Sequence, residues 1–176
     1  MTSPHASTPS TPDAPASLAA LVAFVETLES WVRQNGSGSA LLSPRGTYTF
    51  TQTVQHAAQS IGYSMTGYPR LAPVSLRVTV GRAVKHLFLS RGAMRHNLSA
   101  PVSGAPELDT GLPDLAAIEL LRTTVSRLTA FDGVLQPHPT YGRCTKEQVA
   151  SLQTLHLREH LPGVDQPLSP TVGGTR

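Results

Sequence analysis

Seven histidines and one cysteine are the side chains of this 176-residue chain best suited to hold a metal ion or move a proton. Two of them, His156 and His160, lie four apart within "LHLREHLPG". At about 100° per residue, positions i and i+4 sit one turn apart and about 40° round a helix, so both imidazoles project from one face and can grip one ion. On the same wheel Val149, Leu152 and Leu155 define the inward side, and both histidines fall within or beside that arc. The pair is therefore expected to point into a helical bundle, where converging neutral imidazoles make a metal site. The competing arrangement is one buried, hydrogen-bonded core histidine and one surface residue.

The string His156-Leu157-Arg158-Glu159-His160 also spells H-x-x-E-H, the zinc-binding signature of one class of metallopeptidases. In that class the helix supplies two histidines and a glutamate base, and a further glutamate ligand comes from much later in the chain. Here Asp165 is the only acidic residue after Glu159, so the chain is not a peptidase. A third ligand must come from upstream, from His56, His86, His96, His138 or Cys144. His56 lies in "TFTQTVQHAAQSIGYSMTGYP", well away from the stripe of Phe50, Val54, Ile61 and Met65. It shares a side with Gln52, Ser60, Tyr63 and Gly67. That polar stripe either faces solvent or lines a polar pocket beside another helix, and periodicity alone favours solvent. Cys144 precedes a helix start, which can lower a thiol pKa, but a single cysteine in a turn is more often incidental.

Five segments carry the helical period that would position these residues. The first, 17–34, puts Leu18, Leu21, Val22, Val25, Leu28 and Val32 on one stripe and stops at "NGSGS". The second, 49–67, opens with the capping-box pair Thr49 and Gln52 and ends at Gly67 and Pro69. The third, 75–91, carries Leu76, Val80, Ala83, Leu87 and Phe88 and stops at Gly92. The fourth, 114–131, takes Asp114 as N-cap, with Leu115, Ile118, Leu121, Val125 and Leu128 on one side. The fifth, 145–161, opens with a second capping box, Thr145 and Gln148. Between the third and fourth, "RHNLSAPVSGAPELDTGLP" reads as a long loop. No strand and no internal repeat is expected, so the fold class is all-α, a helical bundle. The Pro/Ser/Thr-rich residues 1–16 and the segment 162–176 are expected as disordered tails flanking one domain, 17–161.

Composition narrows the function classes. The chain carries a net charge of +3, but its basic residues are scattered and form no patch, which argues against nucleic-acid binding. A lone cysteine gives no internal disulfide and no case for an oxidising compartment. The N-terminus lacks a basic region followed by an apolar one. The apolar run Leu18–Val25 is cut by Glu26 and Glu29, too soon for a membrane span. The expectation is a cytoplasmic protein that contacts neither membrane nor nucleic acid.

Three pieces, "FTQTVQHAAQSIGYSMTGYP", "GRAVKHLFLSRGAM" and "PHPTYGRCTKEQVASLQTLHLREHL", occur in this order and spacing. Together they resemble an uncharacterised, domain-of-unknown-function branch of the DinB/YfiT-like metalloenzyme superfamily, over roughly residues 18–162. The resemblance implies an up-and-down four-helix bundle with an additional helix and long loops. It also implies a three-histidine metal site, one ligand from the second helix and two from the last, which carries over to His56, His156 and His160. His138 matches the turn histidine and is expected to shape the loop near the site. This chain departs from the branch at Glu159, where relatives tend to have histidine, and at Val149, where they tend to have tryptophan. The implied cofactor is a divalent ion: zinc, nickel, iron or manganese. The implied activity is a transferase or hydrolase acting on a small molecule, with a low-molecular-weight thiol as the analogous cosubstrate. Glu159 or Tyr63 would assist proton transfer, unless both are ordinary surface or packing residues. The alternative is a non-catalytic metal-binding or stress-related bundle. Such bundles often pair through a helical face, so a homodimer is expected.

Overall fold

The structure is a computed structural model and describes residues 18–165. The segment 1–16, expected as a tail, lies outside the described residues, as does 166–176 of the second expected tail. Six helices follow in order: α1 (Leu18–Asn35), α2 (Phe50–Thr66), α3 (Val74–Val78), α4 (Val80–Arg91), α5 (Asp114–Ala130) and α6 (Lys146–His160). Short 3-10 turns occupy Ser39–Leu41 and Pro162–Asp165. Among the described residues there is no strand, only an isolated antiparallel bridge between His138 and Gly142. The protein is an all-α helical bundle.

Four helices make the bundle. α1 and α2 each pack mainly against both α5 and α6, so they occupy opposite corners of a square. Leu21 and Leu28 from α1, Val54 and Ile61 from α2, Leu121 and Leu128 from α5 and Leu157 from α6 fill its interior with no exposure. The pairs on α1, α2 and α5 are each seven residues apart, two helical turns, which is the helical period put to use. Both expected capping boxes form. Thr49 accepts from the Gln52 backbone N–H while Gln52 accepts from that of Thr49, and Thr145 and Gln148 do the same. These boxes fix where α2 and α6 begin, and so set the phase at which both helices present their histidines.

Two expectations are corrected. Asp114 is the first residue of α5 rather than its cap; Pro113 takes the extended cap conformation. The Asp114 carboxylate is instead used across the fold, accepting from Gly38 N at 2.9 Å and Ser37 Oγ at 3.2 Å. The expected helix 75–91 is broken at Thr79, whose φ −107° and ψ −91° are not helical. Gly81, next to the break, lies so close to the Thr140 carbonyl that no Cβ fits there. The close approach seats α4 against the turn before α6. Leu76 on α3 and Val80 and Leu87 on α4, read from the sequence as a core stripe, are exposed, because α4 packs mainly on α3, α6 and the turn before α6 rather than inside the four-helix core.

No helix among the described residues is long and apolar enough to cross a membrane.

Candidate metal centre

α2 and α6 bring three imidazoles together at their shared interface. Ring centroids lie 5.1 Å apart for His56 and His156, 5.8 Å for His56 and His160, and 4.7 Å for His156 and His160. One donor atom from each lies within 4.8 Å of the other two. Zinc with Zn–N bonds of about 2.0–2.1 Å spaces tetrahedral donors about 3.4 Å apart, so small rotations would bring the three nitrogens onto one ion.

The hydrogen-bond count points the same way. His56 Nδ1, His156 Nε2 and His160 Nε2 are all buried, and none has a hydrogen-bond partner. A buried polar atom left unsatisfied costs about 1–3 kcal/mol, so three in one cluster need an explanation. A shared cation supplies one. The rings are also in the right charge state to receive it. Burial, then the nearby His96, lowers His56 to about 4. Burial, then His56 and His96, lowers His160 to about 3. Burial, followed by the three neighbouring imidazoles and His138, holds His156 well below its ordinary value. All three are neutral at pH 7 and offer lone pairs. These three residues could hold a metal ion.

The structure therefore places His56 in a polar pocket, the arrangement that helical periodicity disfavoured. The polar side of α2 is covered rather than solvated, and the long loop before α5 is its cover. Gln55 Nε2 donates to Asp109 O at 2.7 Å, and Asp109 N returns a bond to Gln55 Oε1 at 3.0 Å. Gln59 Nε2 donates to Pro106 O at 3.1 Å. Irregular loop backbone needs polar partners when covered, and the glutamines of α2 provide them. Tyr48 closes the cluster at the start of α2, stacked on His160 and tilted against His56.

The remaining candidates go elsewhere. Glu159 takes the Arg45 guanidinium at 3.2 Å, and from His96 the backbone N–H at 3.0 Å and the ring Nδ1 at 2.6 Å. Its carboxylate ties the loop after α4 onto α6. That clasp lays the His96 ring over His156, centroids 4.5 Å apart. His96 stood among the five upstream candidates, but a loop has no period to aim it, and Glu159 is the partner that does so. Tyr63 meets Tyr68 and lines a separate groove with Leu120 and Arg127. His138 organises the turn before α6: its Nδ1 accepts from Thr140 N and Tyr141 N, and its ring stacks on Tyr141 at 4.4 Å. Burial, then Lys85, lowers it to about 4. Burial raises the Cys144 thiol despite Lys85 nearby, so the helix start does not activate it.

A cavity of about 440 Å³ opens beside the cluster. His56, His96 and His156 line one end, and Tyr68, Phe88 and Tyr141 supply aromatic wall. Such a volume takes a small molecule, and the three rings reach its edge. Of the three histidines that the resemblance implies as ligands, His56 and His156 line this space and His160 lies behind them, 4.7 Å from His156 between ring centroids.

A family model described as "Protein of unknown function (DUF1569)" matches residues 19–166. No curated protein and no solved structure matches the chain.

Proposed function

The chain belongs to this DUF1569 family, and from that premise we propose that it is a DinB/YfiT-like metal-dependent enzyme acting on a small molecule. His56, His156 and His160 hold one divalent ion. The observation that carries the reading is the convergence of three imidazoles, each of which also has a buried ring nitrogen without a hydrogen-bond partner. Three protein ligands leave a position open, as catalytic rather than structural sites do. The adjoining cavity supports catalysis over storage, since a purely structural ion needs no space beside it.

When bound, the ion would act as a Lewis acid and lower the pKa of a water or thiol at the open position. The protein's own groups do the rest. The capping boxes hold α2 and α6 in phase, and the loop from His96 to Asp109 screens the rings from bulk water. The Glu159 clasp fixes His96 over His156, beside the cavity. Zinc, nickel, iron and manganese all suit imidazole donors. A low-molecular-weight thiol is the cosubstrate proposed.

Elemental analysis of the purified protein, with His156→Ala as control, tests the metal. One equivalent in the wild type and none in the variant is expected. The reading is overturned if the wild type holds no stoichiometric metal at neutral pH and gains no thermal stability from zinc, nickel or manganese. A panel of thiols with electrophilic acceptors then tests turnover; none by the loaded protein would leave a non-catalytic metal-binding bundle.

A further inference from the structure

Across Tyr141 from the metal cavity lies a second, cationic space, a groove of about 640 Å³ between α3, α4 and the turn before α6. Four side chains with fixed positive charge line it, Arg77, Arg82, Lys85 and Arg143, with His86 beside them. No carboxylate lines it. None of the four forms an ion pair among the described residues, where the paired arginines are Arg33, Arg45, Arg122 and Arg158 and several others are also unpaired. A positive surface is ordinary on a protein with a small net charge, but a buried one is not.

Lys85 is the buried member, only 6% exposed. Its ammonium donates to Arg143 O at 2.6 Å and Gln148 Oε1 at 3.2 Å, and lies 3.9 Å from Cys144 Sγ. Those partners satisfy its hydrogens but bring no negative charge. Buried charges are as a rule paired, because the desolvation penalty is otherwise uncompensated. Arg77 spends its Nε on Ala72 O and keeps its charge. Arg82 and Arg143 are exposed and make no side-chain hydrogen bond among the described residues. Guanidinium forks free on a concave wall are the usual means of holding an oxyanion. Val74, Val78 and Pro137 add apolar surface for the rest of a ligand.

We propose that this groove is an anion-recognition site that takes a phosphate group carried by a small molecule. Arg82 and Arg143 grip the oxyanion, and Lys85 with Arg77 supplies the field behind it. The site stands independently of the metal reading, and Tyr141, which lines both spaces, is the wall between them.

The test uses the full-length protein freed of metal, because the probe, inorganic pyrophosphate, binds metal ions itself. Calorimetric titration at fixed ionic strength, with sodium chloride as the reference, should give one saturable site whose affinity falls as salt rises. The double variant R82Q/R143Q changes only exposed side chains, so its fold is preserved, and it should bind at least about tenfold more weakly. R122Q removes a charge from α5, where Arg122 pairs with Glu119, and should bind as the wild type does. No saturable binding, unchanged binding by the double variant, or an equal loss in R122Q would each overturn the proposal. Because the ion-free chain is used, failure here leaves the three-histidine centre untouched, and failure of that centre leaves this result standing.

Discussion

Protons and metal ions compete for the same imidazole lone pairs, so the acidity of the three rings sets how metal binding responds to pH. Three histidines titrating near 6.5 would be about three-quarters protonated at pH 6.0, and a site built from them would lose roughly 50-fold in affinity between pH 7.5 and 6.0. The buried rings behave otherwise. His56 is held at about 4, His160 at about 3, and His156 well below its ordinary value. At pH 6.0 even His56 is only about 1% protonated, so zinc affinity should change by far less than twofold. Competition against a fluorescent zinc chelator of known proton dependence measures this directly. A loss near 50-fold would refute the reasoning, because it would mean the rings are solvated and not enclosed under the loop.

The same shifts fix the sign of an acid effect on the fold. The folded values lie below the unfolded ones, so the unfolded chain binds more protons and gains on the native state as pH drops below about 6.5. Stability is complete above that pH and is lost toward about 4, where His56 and His138 titrate in the folded protein. Each contributes about 1.4 kcal/mol per pH unit in that window, and the cost at pH 6.0 is about 1 kcal/mol each, so circular dichroism should still find the protein folded there.

Further outcomes follow from single contacts. His156→Leu removes a buried nitrogen that has no partner; metal-induced stabilisation should vanish, while the metal-free variant should match the wild type in urea or exceed it by up to about 1–3 kcal/mol. Glu159→Ala deprives Arg45 and His96 of their acceptor and should cost about 1–3 kcal/mol in urea titration. It should still bind one equivalent of metal, and loss of the metal would make the carboxylate a ligand. Gly81→Ala drives a methyl into the Thr140 carbonyl and should cost about 1–3 kcal/mol, with faster hydrogen exchange in residues 138–142 as the specific sign. Thr145→Ala opens the capping box of α6 and should cost about 1 kcal/mol; an unchanged urea midpoint would show that packing alone fixes that helix start.

The sequence by itself determined what is local. Thr49 with Gln52 and Thr145 with Gln148 marked helix starts, and Gly92, left-handed at φ 61°, marked the end of α4. These signals were legible because caps and turns depend on neighbours a few residues away. The spacing of His156 and His160 put both on one face, and Val149, Leu152 and Leu155 identified that face as inward; all three are buried. The tertiary structure decided the rest. Periodicity favoured solvent over a polar pocket for the polar side of α2, because it sees polarity and not what lies on top. In the fold that side is roofed by a loop more than forty residues later in the chain, with Gln55 and Asp109 exchanging bonds, and the same roof buries His56 against α6. The missing downstream acid already ruled out the peptidase string around Glu159, but only the fold shows which partners that carboxylate meets, Arg45 and His96 from two distant loops. The break at Thr79 likewise answers to the turn at Thr140 beside Gly81. In each case the deciding partner is remote in sequence, and a helix's own period carries no information about which segment will cover it.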